Sequence, residues 1–217
     1  MDNRKMFFVG RTHETNRIIR LIERNNNVIV TGKFGIGRTS LINHIAVTHN
    51  QWRFVMVDFS LSPAKAGQSL LSKLGLSKKP SRKAGHNKPA RLLIDYLERE
   101  GKPWVIVLDN IARLSAQKRA FIRCLTGEGR FRFVAIVENF LLEKDLFLLR
   151  KELIPAQVIT LRHLSVKDGD QLFRYLSEKY RFNWSDNQIK MLAMATQGYP
   201  LGIKEIVHQE LKRLGRR

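Results

Sequence analysis

The sequence predicts an α/β domain built on a mostly parallel sheet with helices on its faces, followed by a small all-α domain. Short apolar, β-branched runs alternate with helical patterns as far as residue 161. From residue 166 only helical patterns remain. A glycine-rich turn, GKFGIGRTS, stands between the first apolar run and a helix, the order in which phosphate-cradling loops occur.

NVIVTG (27–32) reads as a short buried strand that ends at this turn, and LINHIAVTHN continues from it as a helix. WRFVMVDFS (52–60) is a second strand, and WVIVLDN (104–110) a third and the most apolar. FRFVAIVEN (131–139) and AQVITL (156–161) supply two more. Between strands, PARLLIDYLERE places Leu92, Leu93, Tyr96 and Leu97 on one helical face. Ser165 and Asp168, three residues apart, open the all-α part in the manner of a capping box; Ser185 and Gln188 repeat the device, and Pro200 suits the first turn of a last helix running to about Leu211. The expected boundaries are 1–161 for the α/β domain and 166–217 for the helical one.

Among 217 residues, 39 Lys and Arg oppose 19 Asp and Glu, for a net charge of +20. Such an excess favours polyanionic partners, nucleic acid before anionic membrane. The alternative is a chain that is merely basic. No apolar run approaches the roughly 18 residues of a membrane span, and MDNRKMFFVGR is too polar for a secretory signal. Cys124 is the single cysteine, so no internal disulfide forms, which fits a reducing, cytoplasmic setting. The basic residues cluster. Lys73 to Arg91 holds seven, among them Lys78, Lys79, Arg82, Lys83, Lys88 and Arg91, with no acid. A second group, including Arg119 and Arg123, lies between Arg113 and Arg132. Lys and Arg without interleaved aromatics suit contact with DNA backbone, not base reading; a solvated loop is the plainer alternative.

The turn differs by one residue from the phosphate-loop pattern G-x-x-x-x-G-K-[ST]. Gly32 and Gly37 keep the spacing, Gly35 lies between them, and Thr39 and Ser40 follow, but Arg38 stands where lysine is expected. Thr39 suits a Mg²⁺ ligand. Arg38 keeps the charge while replacing a compact point cation by a planar fork, with Lys33 as a partial substitute. Asp109, at the end of VIVLDN, is placed to hold Mg²⁺ through water. Asn110 follows it, and an amide can orient water without accepting its proton.

With these residues in place the chain resembles the AAA+ and STAND ATPases, in particular the branch of replication initiators, archaeal STAND-like ATPases and transposition regulators. GKFGIGRT looks like Walker A and VIVLDN like Walker B; FVGRTHE (8–14), with Gly10 and Arg11, looks like the box that frames the adenine. Asn139 falls at the sensor 1 position, and GYPLGI (198–203), with Pro200, looks like the G-x-P motif of the STAND lid. The resemblance implies a five-stranded parallel P-loop sheet of the ASCE type, ordered 5-1-4-3-2, with the helical domain as a lid over ATP or ADP and Mg²⁺. It implies that Arg150, before the last strand, is either an arginine finger acting on a neighbouring subunit or a surface arginine. It also implies loops after the second strand that face DNA. A winged-helix domain is expected after the lid in many relatives; the sequence here ends with the lid. Arg38 and Asn110 depart from residues the family uses for hydrolysis, so turnover is expected to be slow or absent. The function expected is an ATP- or ADP-binding protein that binds DNA non-specifically and self-associates with nucleotide, in an initiator-like or transposition-regulating role. A STAND-type signalling scaffold with structural ADP and an unknown protein partner is the alternative, and a P-loop domain that has lost its ligand is a third reading.

Overall fold

The computed structural model describes residues 8–73, 103–127, 129 and 131–216. Five strands form one sheet: β1 (Asn27–Gly32), β2 (Arg53–Asp58), β3 (Trp104–Ile111), β4 (Arg132–Val137) and β5 (Ala156–Leu161). Their order is β2-β3-β4-β1-β5, every pairing is parallel, and this is the order the resemblance implied. β1 and β5 have the expected bounds. β2 stops at Asp58 and β4 at Val137, so Glu138 and Asn139 lie beyond the strand, on the sheet's C-terminal edge.

Period-two alternation makes the sheet two-faced. Val28, Val30, Val105, Val107, Val134 and Ile136 point into one core, which Ile18 and Ile22 of α1 (Thr12–Glu23) and Leu41, Ile42 and Ile45 of α2 (Arg38–Thr48) complete. Ile29, Ile106, Leu108, Phe133 and Ala135 face the other way, against α3 (Pro63–Lys73), α4 (Ala116–Thr126) and α5 (Glu143–Glu152). Burial on both faces explains why the strands read as continuous apolar runs. α1, α3, α4 and α5 are elements the sequence reading left unassigned; each carries buried residues three or four apart, such as Ile18 and Ile22, or Phe121 and Leu125.

The last three helices, α6 (Val166–Tyr180), α7 (Asp186–Thr196) and α8 (Pro200–Arg213), enclose a separate small core of Phe173, Ile189, Ala193 and Ile203. Ser185 and Gln188 form a full capping box, and Pro200 occupies the first turn of α8. At α6 the box is incomplete: the Ser165 hydroxyl accepts from the Asp168 amide and itself donates to the Asp168 carboxylate at 2.6 Å. Among the described residues no helix is long and apolar enough to cross a membrane.

Candidate functional site

In a parallel sheet, ligands bind at the C-terminal ends of the strands. The turn after β1, Asp109 near the end of β3 and the chain leaving β4 meet there, because β4 lies between β1 and β3. Gly32 ends β1, and Gly37, with φ of 92°, is the residue from which α2 starts. The free N–H groups at this helix start, with those of the turn, make an anion cradle. Behind it the Thr39 hydroxyl lies 3.2 and 3.3 Å from the two carboxylate oxygens of Asp109. A hydroxyl and a carboxylate so juxtaposed are a hard-oxygen donor set that fits Mg²⁺. With Mg²⁺ bound, Thr39 and Asp109 would hold it, and the ion would neutralise phosphate charge. Burial raises the Asp109 pKa above the usual carboxylate value, and repulsion from Glu138 adds to this.

Arg38 and Asn110 have local partners. Arg38 is 7% exposed; its guanidinium pairs with Glu138 at 2.7 Å through one terminal nitrogen and donates to the Val137 carbonyl through the other. A planar fork holds two acceptors in a fixed geometry, whereas lysine offers a compact point charge on a flexible stem. Asn110 sits in a register shift of β3 with φ of 61°, a conformation asparagine tolerates better than most residues. Its amide donates to Asp58 at 3.4 Å, so a carboxylate is present one strand away from where the family pattern puts it. The Ser60 hydrogen bonds chiefly, with help from Asn110, hold the Asp58 pKa below its ordinary value.

The helical part closes on the turn. The Tyr199 hydroxyl donates to the Phe34 carbonyl at 2.6 Å. Gly35, with φ of 70°, faces Leu201 so closely that a Cβ there would lie 2.5 Å from that of Leu201; only glycine meets both demands. Gly10 packs in the same way against Asp168. Arg11, 4% exposed, pairs with Glu14 at 3.0 Å and donates to the Ile36 carbonyl of the turn at 3.2 Å and to the Arg162 carbonyl after β5 at 2.7 Å, so it ties the turn to the segment that leads into the last helices. Pro200 is half-buried beside Tyr199.

Lys33, Ser40 and Asn139 are exposed, and Arg150 is exposed in the last turn of α5. Lys78, Lys79, Arg82, Lys83, Lys88 and Arg91 lie outside the described residues. Arg119 and Arg123 both pair with Glu152, at 3.0 and 2.8 Å, and Lys118 donates to the Phe59 carbonyl at 2.6 Å. Sequence reasoning missed Glu138, Asp58, Tyr199 and Leu201. Only the GYPLGI segment, which contains Tyr199 and Leu201, carried a local signal.

Sheet order, cradle and the Thr39–Asp109 pair define a P-loop nucleotide-binding fold. Residues 8–137, more than half of the chain, match the AAA ATPase domain model, and the chain belongs to that family. Comparison with curated proteins finds no match. Among solved structures, the Walker-type ATPase PABY2304 of Pyrococcus abyssi is similar at 14% identity, with TM-score 0.64 over 95% of this chain and 71% of that one. Cdc6p of Pyrobaculum aerophilum is similar at 17% identity, TM-score 0.66, over 95% of this chain and 63% of that one. Hsp104 of S. cerevisiae, in a complex with casein, gives 17% identity and TM-score 0.66 over 92% of this chain and 36% of its own. At these identities the likeness is one of fold.

Proposed function

We propose that the chain binds ATP or ADP with Mg²⁺ and acts as a nucleotide-held switch that assembles on DNA. The observation that carries the nucleotide part is the Thr39 hydroxyl set against Asp109, behind a glycine turn that opens a helix. Backbone N–H groups hold phosphate, Thr39 and Asp109 hold the metal, and the lid helices contact the turn. Asn110 and the Arg38–Glu138 pair suit holding more than hydrolysis. Calorimetric titration of the whole chain with ATP and ADP should show saturable, Mg²⁺-dependent binding, weakened at least about tenfold in Thr39→Ala, as expected when a charge-linked contact is lost. No heat and no thermal stabilisation at millimolar nucleotide would overturn it.

The net charge of +20 supports the DNA part. Binding is expected to be sequence-tolerant and steeply salt-dependent through counterion release. Since Arg119 and Arg123 are held by Glu152, the basic residues of segment 73–91 supply most of the DNA contact in this reading. Replacing Lys78, Lys79, Arg82 and Lys83 with alanine should weaken all duplexes alike and reduce the slope of log affinity against log salt by about 3–4, near one per lost phosphate contact. A parent that binds no duplex at low salt would instead favour a protein partner. The initiator-like or transposition-regulating role, self-association and an Arg150 finger in trans extend this same reading; the exposure of Arg150 is compatible with a neighbouring subunit.

A further inference from the structure

Arg38 heads α2, next to the phosphate cradle, yet both of its terminal nitrogens are engaged at the end of β4. Glu138 is 15% exposed and its pair with Arg38 measures 2.7 Å. It leaves the sheet between β1, which carries the turn, and β3, which carries Asp109. Its charge is felt at Asp109. Two carboxylates, Asp109 and Glu138, thus stand at the ends of adjacent strands, and Arg38 is the cation that Glu138 engages. A cation at the Arg38 position of such a loop serves the terminal phosphates. Phosphate oxygens and the Glu138 carboxylate offer a guanidinium the same fork-matching chemistry, so they compete for it.

We propose that the Arg38–Glu138 pair is a latch that a nucleoside triphosphate must open, its terminal phosphate replacing the Glu138 carboxylate on Arg38. Glu138 thereby sets both the affinity of the site and its discrimination between tri- and diphosphate. A diphosphate, lacking the terminal group, leaves the latch closed and is bound by the backbone cradle, Thr39 and the metal. The proposal rests on the nucleotide-binding reading above. It assigns to Glu138 a role that neither the loop pattern nor the strand-end positions Asn110 and Asn139 disclose.

The test is calorimetric titration of the full chain and two variants with ATP and with ADP in Mg²⁺, with thermal melting as the check on folding. Glu138→Gln removes the charge. Glu138→Asp keeps the charge but withdraws the carboxylate by one methylene, breaking the 2.7 Å contact. Both variants are expected to bind ATP about tenfold more tightly, the scale of one charge-assisted hydrogen bond, with ADP changed by less than about twofold. Glu138→Asp carries the decision alone if Glu138→Gln fails to fold. ATP binding that tightens in Glu138→Gln but not in Glu138→Asp would mean plain repulsion and would overturn the latch. So would unchanged affinity in both, or an equal gain for ADP, while nucleotide binding by the parent still stands. Absence of binding in all three proteins would remove the nucleotide reading, and the latch with it.

Discussion

Gly198→Ala is expected to unseat the C-terminal helices and lower stability by about 3–5 kcal/mol. Gly198 has φ of 69°, which costs alanine about 1 kcal/mol. Its new Cβ would lie 2.0 Å from the Leu164 carbonyl oxygen and 2.7 Å from its carbon, and backbone has no rotamer with which to step aside. Relieving that overlap costs about 1–3 kcal/mol, and moving the segment breaks the Leu164 N–H bond to the Gly198 carbonyl, worth about 1 kcal/mol. For a chain of this size the melting temperature should fall by roughly 10 °C. Proteolysis should cut first between residues 161 and 166. A variant melting within about 2 °C of the parent would show that the junction relaxes more easily than its geometry implies.

The parent is expected to release phosphate near the background rate, while a variant combining Arg38→Lys, Asp58→Asn and Asn110→Asp should gain about 10²-fold or more. General-base assistance typically contributes about 10²–10⁴-fold, and in this chain the carboxylate sits on β2 with the amide on β3. Exchanging the pair returns the carboxylate to position 110 while keeping the hydrogen bond. Aspartate is preferred to glutamate there because φ at 110 is 61° and aspartate tolerates it. Arg38→Lys supplies a compact cation in place of the fork. The assay should include DNA at high protein concentration, where a finger in trans would act. A parent turning over at about one per second or faster would show that the substitutions are compensated.

Continuous apolar, β-branched runs made the strands legible: β1 and β5 could be bounded to the residue because these runs end at Gly32 and Leu161. The Ser185–Gln188 cap was legible because its chemistry is local. The sheet order came from the family resemblance, since strand pairing joins residues about 100 positions apart, as Val28 joins Val134. Spacing pointed to Thr39 and Asp109, whose side chains the fold brings together. Spacing did not point to Glu138, because its contact is with a residue 100 positions away and no local pattern announces it. Arg38 was assigned to phosphate for the same reason: the sequence shows the fork but not the two acceptors that hold it. Asn110 was read as a missing base, whereas its backbone conformation and the nearby Asp58 give the amide a structural reason to be there.

The Tyr199–Phe34 hydrogen bond has a mechanical consequence. Tyr199 is the N-cap of α8, whose 14 residues make a rod about 21 Å long. A rod hinged at one end magnifies what happens at the hinge: a tilt of about 10° would carry the far end, with Lys212 and Arg213, through roughly 3.5 Å. An adjustment of the turn backbone at Phe34 that tilted α8 would therefore be read at its far end as a displacement of positive charge.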